Sequence, residues 1–523
     1  MNAIILSAGF GIRCAPLTYH TPKGLLKINN KPLIEHAIER LHEKGIHEII
    51  IIVGYKKEMF KYLAKQYGVK LVYNPEYSSK NTLSSLCCVL DYINSTYIIV
   101  SDNFATTNLY NTKETTAWTS CVYVDGETDE WCLSADETNR VTSLVIGGRD
   151  SFIMIGPAYF SPEFSKKIKP LFIKYNEGDE YSHYYWEDVL RHHLDVLPIY
   201  LNDHTGKVFD FDDLDELRKY DAYYQGEINY PILRRISSFF DVPMRHIYGI
   251  KPLKEGMTND SFYFTVQGKG EYIYRVPGVG SEKLINRKNE YEVYKAISDL
   301  KISDKVLYFE SGHKISEFIP NAKNCDPQNL EDIRKCMKIL KNFHEKRLSV
   351  EHTFNLYERI EFYESLWRSN GCSSDYLSTR EKIFKLRHYL ENCEKDWTLC
   401  HIDSVSTNFL IHGDEVSLID WEYAGMQDPH VDIAFFISYC PFSYEQANEV
   451  IDSYFLYDCG HSVRKKIYGY IAVIGFLWFN WCEFTRHIKG VKHGEYALLQ
   501  YKYAQEYYEF FINMDDESRI SNE

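Results

Sequence analysis

No stretch of this 523-residue chain reaches the roughly 20 consecutive apolar residues that a membrane-spanning helix needs. The nearest, Ile471 to Cys482, is about half that length; Asn480 interrupts it and Glu483 follows it, so the expectation is a buried helix and no membrane insertion. After Met1-Asn2 only Ala3-Ile4-Ile5-Leu6 is apolar, too short for a signal-peptide core. No dense Lys/Arg block exists, and 74 acidic against 59 basic residues leave a net charge of -15, which argues against a general nucleic-acid binder. Sites that need only local positive charge remain compatible with it. The 13 cysteines contain no C-x-x-C pair, which excludes a zinc ribbon or a regular disulfide framework and points to a reducing, cytoplasmic setting. No internal repeat or low-complexity tract is present. What is there, 45% hydrophobic and 25% charged residues, is the composition of a soluble globular protein, long enough for more than one core.

Residues 1 to about 110 alternate buried-strand runs with amphipathic stretches. Ala3 to Ser7, Ile49 to Val53, Val69 to Tyr73 and Tyr97 to Val100 read as strands; Ile34, Ala37, Ile38 and Leu41 repeat at helical spacing, with Gly45 where a C-cap belongs. This rhythm predicts a Rossmann-like α/β domain with a parallel core and its ligand site at the carboxyl ends of the strands. Residues 111–205 are less regular and read as further strands added to that sheet. Asp210 to Leu217 closes the unit, and a Tyr-rich connection places a boundary near residue 228. The second domain, 229–523, opens with strands at Asp260–Val266, Glu271–Val276 and Val306–Phe309. It turns helical from Asn329, apart from a β patch at Asn408–Leu418, an α+β pattern.

Two constellations carry chemistry. The first is Gly9-Phe10-Gly11-Ile12-Arg13 with Pro16, Thr18, Pro22 and Lys23, directly after the first strand. A Gly-rich turn there lets backbone N–H groups approach a polyphosphate. Arg13 and Lys23 supply charge, and Asp102, after the Tyr97–Val100 strand, stands where a metal carboxylate belongs. No Ser-His or Cys-His pair accompanies them. That suits attack by an already anionic phosphate oxygen on a nucleotide α-phosphate, which needs positioning and charge neutralisation but no base.

The pattern G-x-G-x-R-x-x-P-x-T-x-x-x-P-K resembles the nucleotidyltransferases that activate sugars and sugar-like phosphates. Tyr73-Asn74-Pro75-Glu76-Tyr77 and Asn81 to Ser85 are similar to the bacterial CTP:phosphocholine cytidylyltransferases. The resemblance implies phosphate contacts from Lys23 and Arg13 and nucleotide contacts at Leu6, Ala8, Gly9, Gly11, Asn81 and Ser84. It implies Mg²⁺ on Asp102 and Asp212, with Asp210 a less certain neighbour. The acceptor it implies carries a quaternary ammonium, recognised by aromatic faces with a carboxylate; Trp131, Tyr185, Trp186 and Asp188 are the candidates. Core packing is the competing explanation for these aromatics.

The second constellation is His401-x-Asp403-x₄-Asn408, with Asp420 after the Ser417-Leu418-Ile419 run. This is the spacing of a kinase catalytic loop and its later metal-binding Asp. A hydroxyl nucleophile benefits from a carboxylate that orients it and takes its proton, the role read for Asp403; Asn408 and Asp420 are the metal ligands. There is no D-F-G and no A-P-E. Instead Ile419-Asp420-Trp421-Glu422-Tyr423-Ala424-Gly425 runs to Asp428 and Asp432, which resembles the choline and ethanolamine kinases. The likeness implies nucleotide contacts from Thr258, Asn259 and Arg275, with Glu290 as the paired acid. Trp478-x-x-Trp481 puts two indoles on one helix face. With Trp421 and Glu422 it would form a choline box, against a plain core reading.

Taken together, the chain reads as a bifunctional enzyme that phosphorylates choline with ATP and joins the product to CMP from CTP. Two alternatives stand beside this: the same steps on ethanolamine or another amino alcohol, or one domain acting as a silent ligand sensor. Partners are small molecules; the sequence leaves open whether the chain works alone or as a homodimer.

Overall fold

The computed structural model describes residues 1–253, 259–278, 281, 284–368, 374–489 and 493–520. The chain forms two compact units. The first comprises Met1–Leu253 and Phe262–Gly270, and the second the remainder. The first unit therefore continues past residue 228. Arg218 explains why: its Nη2 donates to Met244 O at 2.8 Å and its Nη1 to Ile247 O, while Asp215 accepts Gly249 N–H at 2.8 Å.

Seven strands build the first unit's main sheet: β1 (Asn2–Ser7), β2 (Ile49–Val53), β3 (Lys70–Tyr73), β4 (Thr96–Val100), β5 (Trp118–Ala135), β6 (Val141–Phe160) and β7 (Tyr200–Asp203). Their order is β7-β5-β6-β4-β1-β2-β3. The β1–β4 pairings around the centre are parallel, whereas β6 runs antiparallel to both β4 and β5. Side-chain alternation explains the buried centre. Ile4 and Leu6 pack on one face with Ile50, Ile52 and Ile98; Ala3 and Ile5 pack on the other with Ile49, Ile51 and Ile99. The irregular region of the sequence is largely one long hairpin, β5–β6, whose register shifts repeatedly. Polar and apolar residues there do not alternate cleanly, so its length is hidden in the sequence.

A smaller pairing matters more for the site. Asn103–Ala105 runs antiparallel to Val208–Asp210, with Asp210 opposite Asn103. This folds a segment from residue 208 onward back to the carboxyl end of β4.

In the second unit, Gly270–Pro277 pairs antiparallel with His313–Glu317, which pairs with Val306–Glu310. Helix α1 (Leu330–His344) begins where Asn329 accepts the N–H groups of Glu331 and Asp332. The hairpin Phe409–His412/Glu415–Leu418 presents the loop ends that carry Asn408 and Asp420. Helices α2 (His430–Tyr439), α3 (Tyr444–Phe455), α4 (His461–Lys489) and α5 (Gly494–Ile520) follow, with further helices at Arg287–Ile297, Leu356–Trp367 and Ser374–Asn392. Helix α4 is long and apolar enough to cross a membrane by composition, but 89% of its apolar window is buried in this core. Helix α5 covers it closely: a Cβ on Gly475 would fall 2.7 Å from Gln500 O and 2.9 Å from Ala504 N.

Candidate active sites

At the end of β1 the chain turns through Gly9–Arg13 and returns past Lys23. Gly11 has φ +62°, and a Cβ there would lie 2.8 Å from Lys23 Cβ. Only glycine fits both the left-handed backbone and that close approach. Lys23 Nζ lies 2.8 Å from Asp102, 3.0 Å from Asp212 and 3.6 Å from Asp210. Burial opposes the Lys23 charge, but those carboxylates outweigh it and hold the amine well above its usual range. Arg13 pairs with the other oxygen of Asp212. Burial raises Asp210 to about 8, and the Asp102 charge adds to the effect. Asp102 Oδ1 is buried with no hydrogen-bond partner among the described residues. The Cys14 thiol donates to Phe211 O and Asp212 O, each at 3.3 Å, tying the turn to the acidic segment.

These groups border a cavity of about 830 Å³. Leu6, Ala8, Gly9, Gly11, Arg13, Lys23, Asn81, Asp102, Trp131, Tyr185, Trp186 and Asp188 all reach it, so the structure brings most of the expected residues together. Asp210, the less certain carboxylate, is on the wall, whereas Asp212 is engaged behind it by Lys23 and Arg13. Ser84 is a correction. It is buried, its hydroxyl donates to Asn81 O at 2.8 Å and accepts from Asn74 at 3.0 Å, and Ser85 lines the cavity instead. Asp188 is partly committed, since Oδ2 accepts Tyr185 N–H at 2.9 Å and Oδ1 meets Arg191 at 3.1 Å. Glu187 is half-buried on the same wall, its Oε2 buried with no hydrogen-bond partner among the described residues, and desolvation raises it to about 8.

In the second unit, Asn408 Nδ2 donates to Asp403 O at 2.8 Å and to Asp403 Oδ2 at 3.2 Å. Burial raises Asp403 to about 8; the charges of Asp420 and Glu422 add, and the Asn408 hydrogen bond opposes. Asp432 of α2 fixes the loop, accepting His401 N–H at 2.8 Å and Ile402 N–H at 2.7 Å while contacting His344 Nε2 at 2.9 Å. Arg275 meets Glu290, and its Nη1 lies 3.3 Å from Asp420. Arg287 bridges Glu290 at 2.8 Å, Glu422 at 3.2 Å and Asn259 at 2.8 Å, and Asn259 donates to Glu422 at 2.7 Å.

Two expectations fail here. Trp421 is fully buried, with Nε1–H on Leu418 O at 2.7 Å and its ring against Phe343 and His401; it is core and offers no face to a ligand. Glu422 neutralises Arg287 and holds Asn259, so its carboxylate is already used. Trp478 and Trp481 do meet, with centroids 5.7 Å apart and rings perpendicular, and both indole nitrogens lack partners among the described residues. Both are deeply buried in the core cluster. Thr258 lies outside the described residues. A larger cavity of about 1190 Å³, edged by Leu300, Phe318, Ile339 and Val416, contains none of the predicted residues.

A lysine ringed by carboxylates at the carboxyl ends of parallel strands, and a half-buried Asp–Asn loop beside a later Asp, define an enzyme with two phosphate-handling sites. Comparison with known proteins agrees. The nucleotidyl transferase family matches residues 2–118 and the choline/ethanolamine kinase family residues 250–459. A choline-phosphate cytidylyltransferase of Streptococcus pneumoniae is 35% identical over 228 residues, 43% of this chain and 100% of that protein. A 2-aminoethylphosphonate cytidylyltransferase of Lancefieldella rimae is 31% identical over 231 residues, 43% of this chain and 93% of that protein. The crystal structure of choline kinase LicA from Streptococcus pneumoniae shares 28% identity, covers 53% of this chain and 97% of that one, and superposes with a TM-score of 0.47. The chain belongs to the nucleotidyl transferase family, fused to a choline/ethanolamine kinase domain. It is a bifunctional transferase.

Proposed function

We propose that the two halves perform consecutive steps toward CDP-choline in the cytoplasm. The second half transfers the γ-phosphoryl group of ATP to the choline hydroxyl. The first half transfers CMP from CTP to the resulting phosphocholine and releases pyrophosphate. The observation that carries this reading is that the described residues of each half include the groups its own step needs. A half-buried Asp403, steadied by Asn408, suits a hydroxyl that must lose a proton. Around Lys23 there are cations and carboxylates, suited to a nucleophile that is already anionic.

Lys23 and Arg13 neutralise phosphate charge in the first site, and the Gly9–Gly11 turn admits the nucleotide. Asp102, Asp210 and Asp212 there, with Asn408 and Asp420 in the second site, form all-oxygen donor sets of the kind Mg²⁺ prefers, and the unpartnered Asp102 Oδ1 fits that use. When bound, the ion supplies charge neutralisation at the phosphate being transferred. Arg275, paired with Glu290, is the cation for ATP. Trp131 and Tyr185 receive the acceptor's ammonium head in the first site, and Trp478 with Trp481 in the second.

The similarity to a 2-aminoethylphosphonate enzyme favours a second reading, in which the acceptor bears a primary amine. A coupled assay with ATP, CTP and either choline or ethanolamine decides between them. Formation of CDP-choline at a kcat/KM at least tenfold above CDP-ethanolamine is expected; the reverse ratio refutes the choline assignment.

A further inference from the structure

Trp131 does not offer a bare face to the cavity of the first unit. The guanidinium carbon of Arg191 lies 5.4 Å from the Trp131 ring centroid, and Arg191 Nη2 is 3.1 Å from Asp188 Oδ1. All three residues line the cavity. A cation placed over an indole and beside a carboxylate is the arrangement by which such sites take a quaternary ammonium. Here a side chain of the protein already has it. The other cations of the cavity are held differently: Lys23 sits among Asp102, Asp210 and Asp212, Arg13 on Asp212, and Lys80 on Glu76.

The Arg191 contacts are also of a kind that can be exchanged. Its side chain is 34% exposed, and an ion pair open to water to that extent contributes little and is screened by salt. Asp188, by contrast, is fixed, because Oδ2 caps Tyr185 N–H at 2.9 Å and the carboxylate cannot swing away with Arg191. If the arginine moves, the indole face and the carboxylate stay where they are.

We propose that Arg191 is an internal stand-in for the acceptor's cationic head, displaced from Trp131 and Asp188 when the acceptor binds. It thereby sets acceptor affinity without touching the reacting phosphates. No covalent bond forms or breaks in this exchange. The inference rests on the reading of this cavity as the site of a cationic alkyl phosphate.

The test uses full-length protein, with pyrophosphate release followed as phosphocholine and CTP are varied in turn. Arg191→Ala removes the side chain, and Arg191→Gln keeps most of the stem and removes only the charge. Both should lower the phosphocholine KM by about fivefold, the scale of one exposed cation–π contact plus one exposed ion pair. The CTP KM and kcat should stay within about twofold, since neither contact reaches the nucleotide. A phosphocholine KM that is unchanged or higher in either variant overturns the proposal, because it would make Arg191 inert or a binding group for the acceptor. A wild-type protein that releases no pyrophosphate with phosphocholine fails earlier: the acceptor assignment then falls, and the stand-in falls with it.

Discussion

Asp403→Asn separates the two activities within one molecule. The substitution keeps the size of the side chain and the Asn408 contact to Asp403 O, a backbone group 2.8 Å away. It removes the ability to take a proton. A positioned base contributes on the order of 10²–10⁴ in rate. This carboxyl is half-buried, is aligned by Asn408 at 3.2 Å, and sits on a loop pinned through two backbone N–H groups to Asp432. Such rigid placement argues for the middle of that range, a loss of about 10³-fold, or ~4 kcal/mol of transition-state stabilisation. The assay supplies choline, ATP and CTP and resolves phosphocholine from CDP-choline by chromatography. From choline the variant should form neither product at an appreciable rate; from added phosphocholine it should form CDP-choline at the wild-type rate. Choline phosphorylation within tenfold of wild type would refute the base assignment. Loss of both activities in a folded protein would refute the independence of the two sites.

Lys23→Ala should give the mirror image: phosphocholine accumulates from choline and ATP, while pyrophosphate release from CTP falls by about 10²–10³; unchanged release would remove Lys23 from the site. Trp481→Ala should raise the choline KM about thirtyfold and leave the ATP KM unchanged, the expected scale for a desolvated cation–π contact; a lowered melting temperature with unchanged KM would make the indole purely core. Glu187→Gln should stabilise the protein more at pH 8 than at pH 5. Burial raises Glu187 from its ordinary 4.5 to about 8, so between those values the folded state holds a proton that the unfolded state has lost, and wild-type stability falls as pH rises. The gap should widen by up to about 1.4 kcal/mol per pH unit in that window, and parallel pH profiles in thermal melts would contradict it.

The parallel strands and the loops that carry Lys23 and Asp403 are legible in the sequence because each is local. Ala3 to Leu6 and Ile49 to Val53 are unbroken apolar runs, and Asp403 and Asn408 share one short loop. What was missed or left less certain depends on distant pairings. Asp210 faces the cavity because its strand pairs with Asn103, a register no local pattern encodes. Arg287 carries no motif, yet it joins Glu290, Glu422 and Asn259; its absence from the reading made Glu422 look available. Trp421 follows Asp420, whose φ of +68° turns the chain so that the indole enters the core. A tryptophan next to an expected metal-binding Asp therefore looked like a ligand contact and is packing. Ser84 lies on the covered side of its helix beside Asn74, while its neighbour Ser85 reaches the cavity.

The close seating of α5 on α4 bears on how the chain is made. Among the described residues α4 is the helix both long and apolar enough to cross a membrane, and its Gly475 surface is completed by Gln500 and Ala504, which a ribosome delivers later. Until those residues emerge, the nascent chain displays a helix that the targeting machinery for membrane proteins could read as its own cargo. The second half consequently depends on α5 for concealment during synthesis, whereas the parallel strands β1, β2, β3 and β4 of the first half are all available before residue 101. Slowing translation between residues 489 and 500 should therefore cost kinase yield long before it costs cytidylyl transfer.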